Sequence, residues 1–400
     1  MIWATEHLCV DEFCRQIFHF RNNPLILMLM KIRFILLACL FVYTGMVTEQ
    51  LLAVNSVAKD TIHYKDALQL QLIGKGFRHT MSPYDRLPSY LKGKVRDALW
   101  ELGTNSAGLA VRFRTDSRLI AARYELTMDR VMNHMAFTGI KGLDLYCLED
   151  DGHWRYVITA RPKGKVNDLI LVNNMPRKER EFMLYLPLYD GIRSLEIGVD
   201  KEASIGIPLV ESPRKSKPIV IYGTSITQGG CASRPGMVYS NILSRQLDKE
   251  CINLGFSGNG RQDIEIAQAL DSVDASCFVI DCIPNCTLQE VQEKTLPFMR
   301  RLRSKHPDVP IIMIEGHFFP QQHYDASLGE YLPKKHKEYR KAFDTLLSEN
   351  PNNLFYVTSE NISGADCEDT VDGIHLTDLG FMRMAKELYP IIKPFVQDNE

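Results

Sequence analysis

Ile219-Val220-Ile221-Tyr222-Gly223-Thr224-Ser225-Ile226-Thr227-Gln228-Gly229 is an unbroken apolar run that stops in small residues. Continuous rather than alternating hydrophobicity marks a strand buried on both faces, as in a parallel sheet covered by helices. The C-terminal half repeats the pattern. Cys251 to Phe256, Cys277 to Asp281, Pro310 to Glu315 and Leu354 to Thr358 are further short apolar segments. Between them lie stretches of helical character at Tyr239 to Leu247, Asp263 to Leu270, Leu288 to Ser304 and Lys334 to Leu347, with a last one at Thr377 to Ile392. Strands alternating with helices predict an α/β domain: a five-stranded parallel, doubly wound sheet with helices on both faces, over residues 218–400.

Upstream the character changes. Gly108–Thr115, Leu119–Leu126, Gly142–Leu148, Trp154–Ile158 and Arg180–Pro187 are short segments of strand character. Asp116-Ser117 and Asp150-Asp151-Gly152 supply turns between several of them. Such spacing predicts a β-sandwich or jelly roll over residues 54–212, with a polar linker at 213–217. Residues 1–53 read as a leader. Met28-Leu29-Met30-Lys31-Ile32-Arg33 runs into the apolar stretch Phe34 to Tyr43, the pattern of a secretory signal. Export to the periplasm or the extracellular space follows, with no stable membrane insertion after cleavage. Leu36-Leu37-Ala38-Cys39 also has the form of a lipoprotein box.

A net charge of −2 gives no electrostatic footprint for nucleic acid or an anionic membrane. Outside the leader, Cys147, Cys231, Cys251, Cys277, Cys282, Cys286 and Cys367 show no framework spacing, so no disulfide scaffold is expected. Cys282 and Cys286 have no second pair, and no metal site is expected.

Chemistry concentrates where the predicted strands end. Sites of open parallel sheets form at the carboxyl ends of the strands. Ser225 follows the first strand, Gly255-Phe256-Ser257-Gly258-Asn259-Gly260 the second and Pro284-Asn285 the third, while Asp372-Gly373-Ile374-His375 precedes the final helix. Taken alone, Ser225 is a turn residue and Asp372-Gly373 a tight turn. Taken together they supply a nucleophile, a base in His375 and an orienting carboxylate in Asp372.

These blocks resemble the SGNH (GDSL-type) hydrolase superfamily. Gly223-Thr224-Ser225-Ile226 stands where many members have Gly-Asp-Ser-Leu, and Asn253 to Gly260 forms the second block. Ile283-Pro284-Asn285-Cys286 stands where Gly-x-Asn-Asp is usual, and Asp372-Gly373-Ile374-His375 is the fourth block. The resemblance covers about residues 217 to 395. Gly142-Leu143-Asp144-Leu145-Tyr146 resembles the Gly-x-Asp-Leu-Tyr signature of a β domain preceding a bacterial subset of that superfamily. The resemblance implies a flavodoxin-like hydrolase fold and a Ser225–His375–Asp372 triad. It also implies an oxyanion hole from the Ser225 and Gly258 N–H groups and the Asn285 amide, with no metal or organic cofactor.

The expected activity is that of a serine esterase removing a small acyl group, acetyl above all, from a carbohydrate or other small ester through an acyl-enzyme. Two alternatives stand beside it: a lipase or thioesterase with the same triad, and a carbohydrate-binding protein with an impaired catalytic centre. Arg234 and Arg261, which flank the glycine loops, and His317, at the end of the fourth strand, are candidate substrate contacts. Nothing in the sequence sets the oligomeric state.

Overall fold

The computed structural model describes residues 61–396, together with Met28. The leader read over residues 1–53, including Cys39, lies outside the described residues apart from Met28. Among the described residues no helix is long and apolar enough to cross a membrane.

The chain opens with β1 (Ile62–Asp66) and β2 (Gln71–Ile73), followed by a short helix α1 (Asp97–Gly103). Next come β3 (Ala110–Thr115), β4 (Ile120–Leu126), helix α2 (Phe137–Lys141), β5 (Asp144–Leu148) and β6 (Trp154–Thr159). Then follow β7 (Val166–Val172), β8 (Arg180–Tyr185), β9 (Ile192–Asp200) and β10 (Ile205–Gly206). All pairings among them are antiparallel. One sheet has the order β1-β9-β4-β7, and the other runs β10-β3-β8-β5-β6 with β2 also on β3. Alternate residues of the two sheets meet in one core. Ala122, Tyr124, Ile197 and Leu195 come from the first sheet, and Val111, Phe113, Leu145 and Phe182 from the second. The period of two along a strand is what sends these side chains inward. This is the expected sandwich.

The stretch expected as a linker is not one. Arg214–Lys217 open β11 (Arg214–Gly223), with Arg214 in register with Lys249. Their polarity reflects the exposed start of a strand, not a free tether. After it come α3 (Ser225–Gln228), α4 (Tyr239–Leu247), β12 (Lys249–Gly255), α5 (Ile264–Leu270) and β13 (Cys277–Asp281). The chain continues through α6 (Leu288–Lys305), β14 (Ile311–Ile314), α7 (Ala326–Glu349), β15 (Leu354–Val357) and α8 (Asp378–Val396). The five strands form a parallel sheet in the order β12-β11-β13-β14-β15. On β11, Val220 and Tyr222 face a core with Ile266, Phe298 and Phe343, whereas Ile219 and Ile221 face Ile242, Phe381 and Leu388. Both faces are covered, which is why β11 reads as a continuous apolar run.

The chain leaves β11 toward β12 and then crosses back to β13, so the strand order reverses at β11. A crevice opens at such a point, outside the carboxyl ends of the strands. The sandwich packs against the same region. Tyr146 and Tyr185, on the outer face of the six-stranded sheet, receive the Arg245 guanidinium of α4 at 4.2 and 5.4 Å from their ring centres.

Candidate active site

Ser225 stands at the end of β11 because the turn there admits little else. A side chain on Gly223 would place its Cβ 2.0 Å from Thr227 Oγ1. Thr224 caps α3, its hydroxyl accepting the Ile226 N–H at 3.2 Å. Gly229, at φ +108°, ends that single turn, and the Ser225 carbonyl accepts the Gly229 and Gly230 N–H groups. The serine is thus fixed between two glycine-dependent turns.

His375 lies on a loop that one carboxylate shapes. Asp372 Oδ1 accepts the backbone N–H groups of Ile374 at 3.0 Å and His375 at 2.8 Å. Its Oδ2 meets His375 Nδ1 at 2.8 Å, and His375 Nε2 lies 3.1 Å from Ser225 Oγ. Partial burial pushes the Asp372 carboxyl up, but the hydrogen bonds from His375 and Ile374 outweigh it and hold the group at about 2. It is therefore a carboxylate at any physiological pH. With its Nδ1 proton held by Asp372, the imidazole turns an unprotonated Nε2 toward the hydroxyl. Such a relay can take the serine proton as Oγ attacks an acyl carbon and return it to a leaving group.

Gly258 sits at φ +67° with no atom within 4 Å of where a Cβ would lie, so its backbone borders open space. Asn285 accepts the Gly260 N–H through Oδ1 at 3.3 Å, which ties the second and third loops together and leaves Nδ2 as the far end of the amide. Gly260 cannot carry a side chain, since a Cβ would meet the Gly223 carbonyl oxygen at 2.1 Å.

The three expected substrate contacts part company. Arg261 donates to the Gly258 carbonyl at 2.9 Å, lies 4.0 Å from Glu290 and keeps its side chain 39% exposed. Arg234 instead turns into the sandwich. Its Nη1 donates at 2.7 Å both to Asp144 Oδ2 and to Tyr146 Oη, and its guanidinium lies 4.0 Å from the Tyr156 ring centre. It is an interdomain strut. The same contacts explain the Gly142–Tyr146 motif. Leu143 and Leu145 point into the sandwich core, while Asp144 and Tyr146 face the second domain. Asp144 also accepts the Gly236 N–H at 2.7 Å. His317 departs from the expectation too: at 2% exposure it is buried. It packs edge-on to Phe319 at 4.6 Å, and its buried Nε2 has no hydrogen-bond partner among the described residues. Burial, helped by the charge of His375, pushes its pKa down to about 4.

Several supports have no signal in the sequence. Arg86 is fully buried and has no carboxylate partner among the described residues. It donates to the carbonyls of Leu102 and Asn105 in the first domain at 2.8 Å each, and to Gly255 at 2.8 Å and Asn253 at 3.1 Å in the second. Gln228 donates to Asn105 Oδ1 and the Leu188 carbonyl and accepts the Ser257 N–H. The loops beside Ser225 are therefore braced from the sandwich.

Asp281 ends β13, opposite Gly223 in register. Burial pushes its carboxyl up to about 7, against hydrogen bonds from Thr227 at 2.9 Å and Tyr239 at 3.3 Å. A carboxyl raised from its unfolded value contributes stability while protonated and loses that contribution as pH rises through 7. Asp281→Asn stays neutral. Its melting temperature is expected to gain on the wild type between pH 6 and 8.5, as followed by differential scanning fluorimetry. An unchanged gap across that range would refute a buried, neutral Asp281.

Comparison with known proteins fits this arrangement. Residues 216–393 match the model of the GDSL-like lipase/acylhydrolase family, and residues 62–205 match the N-terminal domain of SGNH-hydrolase-type esterases named for Gly-x-Asp-Leu-Tyr. A crystal structure from Bacteroides ovatus ATCC 8483, assigned as a GDSL-like lipase, is 38% identical and superposes with a TM-score of 0.79, covering 84% of this chain and 98% of that one. The salicylyl-acyltransferase SsfX3 of a tetracycline biosynthetic pathway is 17% identical, with a TM-score of 0.66 over 82% and 96% of the two chains. A family two carbohydrate esterase from Clostridium thermocellum is 13% identical, with a TM-score of 0.53 over 72% and 92%. At those identities the latter two share the fold alone. No curated protein sequence matched significantly.

Proposed function

The chain belongs to the GDSL-like lipase/acylhydrolase family, whose members hydrolyse ester bonds, and from that premise we propose a serine esterase for small acyl groups, acetyl above all, borne on carbohydrates. The observation that carries the proposal is the unbroken run of hydrogen bonds from Asp372 through His375 to Ser225 at the crevice of the sheet. Ser225 Oγ attacks the acyl carbon, His375 takes the proton and passes it to the departing sugar hydroxyl, and a water activated by the same imidazole releases the acid. The N–H groups of Ser225 and Gly258 and the Asn285 amide are the proposed donors to the oxyanion. Arg261 is the remaining candidate for contact with the sugar. The carbohydrate assignment is suggested by the family two carbohydrate esterase of Clostridium thermocellum, which shares the fold. Export through the leader belongs to the same proposal.

The closed relay weighs against an impaired, purely sugar-binding protein. A longer acyl group is favoured by one feature, the exposed Val371 and Ile374 beside the triad. Hydrolysis rates across p-nitrophenyl esters of increasing chain length, followed by product release from acetylated polysaccharides, test the proposal. A small pocket predicts steep loss beyond about four carbons. Rates rising toward long chains would replace it with the lipase reading.

Asn285→Ala is expected to lower kcat about 10²- to 10³-fold with little change in KM, the signature of a donor acting on the transition state. Steady-state kinetics on p-nitrophenyl acetate check it, and an unaffected kcat would remove Asn285 from the oxyanion hole.

A further inference from the structure

We propose that His134, Cys231 and His375 form a zinc site through which the metal reversibly blocks the serine centre. One donor atom from each of the three side chains lies within 4.8 Å of the other two. The residues come from separate places: His134 from the sandwich loop before α2, Cys231 from the turn after α3, and His375 from the catalytic loop. No spacing along the chain announces them, so ligand spacing alone points to no metal.

The donor set suits the ion. Zinc takes thiolate and imidazole tetrahedrally, with Zn–S about 2.3 Å and Zn–N about 2.0–2.1 Å. Those lengths place donors about 3.3–3.6 Å apart, so a pair at the 4.8 Å limit has to close by about 1.2–1.5 Å. That closure would fall to His134, which is half-buried on the loop before α2. Both rings are already oriented. His375 Nδ1 is held by Asp372 Oδ2 and His134 Nδ1 by Asn133 Oδ1, each at 2.8 Å. An oxygen acceptor on Nδ1 leaves Nε2 as the free donor, the arrangement that prepares a histidine for metal. The rings lie 5.4 Å apart. The third donor is fixed as well. Cys231 is buried and held at φ +68°, a left-handed conformation that costs a residue with a side chain, and its Sγ lies 3.4 Å from the His134 carbonyl oxygen.

Binding replaces the thiol proton by the metal: Cys–SH and Zn²⁺ give Cys–S–Zn⁺ and a proton released to solvent, with no change of oxidation state. The Nε2 lone pair of His375 then belongs to zinc and cannot take the proton of Ser225. A fourth position stays open to water or to the Ser225 hydroxyl. The loss of activity rests on the esterase reading; the site itself does not.

The experiment uses the purified full chain in chelator-free buffer. Zinc chloride is titrated while p-nitrophenyl acetate hydrolysis is followed, and cobalt(II) is titrated separately while near-ultraviolet sulfur-to-cobalt absorption is recorded. The wild type is expected to lose activity at low zinc, regain it on adding EDTA, and show the cobalt band. Cys231→Ser and His134→Ala, checked for unchanged melting, are expected to raise the half-inhibitory zinc concentration about 100-fold or more. Cys231→Ser also loses the cobalt band. Equal zinc responses in wild type and variants, or no cobalt band in the wild type, would overturn the site. Should the chain hydrolyse no ester, the cobalt titration still decides whether the metal binds.

Discussion

Ser225→Ala is expected to cut p-nitrophenyl acetate hydrolysis by about 10⁴-fold or more, because it removes the hydroxyl oxygen that lies 3.1 Å from His375 Nε2. His375→Ala should cost about as much. Joining the two should add almost nothing, since a nucleophile without its base and a base without its nucleophile are equally idle. That non-additivity distinguishes a working relay from two residues that merely line a pocket. Labelling by a fluorophosphonate should vanish in Ser225→Ala while the melting temperature stays put. A Ser225→Ala rate within tenfold of the wild type would end the serine mechanism for this chain.

The second large effect is on folding. Arg86→Met is expected to destabilise the protein by about 3–5 kcal/mol. Methionine fills much of the volume but leaves the carbonyls of Leu102, Asn105, Asn253 and Gly255 without their shared donor. Each buried acceptor that loses its partner costs about 1–3 kcal/mol. Part of the sum is offset, because burial disfavours the guanidinium itself and pushes its pKa down to about 9. Urea denaturation gives the stability, and kinetics give a second readout: kcat should fall as the Gly255–Gly258 loop loosens. A variant as stable and as active as the wild type would show that water or a shifted loop replaces the arginine.

What could be read from the sequence follows from burial. The strands of the parallel sheet are covered on both faces, so their composition is uniformly apolar and each was located to within a few residues. In the sandwich, β1, β2, β7, β9 and β10 were missed. Val166–Val172 carries Asn167 and Asp168 and is buried only in part, so its pattern is broken. The helix α7 begins at Ala326, earlier than expected at Lys334, because Pro333 reads as a stop. In the fold, the Asp325 cap on Leu328 N–H and the packing of Leu332 hold the turns ahead of it. The four blocks at the strand ends were legible because each depends on its own short-range turn chemistry. Arg86, Asn105 and Gln228 were not, since each answers a carbonyl or amide that only the folded chain brings near. Arg234 misled for the same reason, as its partner Asp144 lies in another domain.

The strut from Arg234 to Asp144 and the Arg86 clamp join the two domains through directional bonds, set in an apolar core that both domains share: Leu87 and Leu99 lie in one cluster with Ile252 and Leu254, and Ile140 and Leu188 in another with Ile221 and Ile226. Heating should therefore produce a single endotherm with coincident loss of β and α circular-dichroism signals. The sandwich and the hydrolase layer would then share one cooperative melting event, and a chain cut at residue 213 would yield two halves that are each less than half as robust.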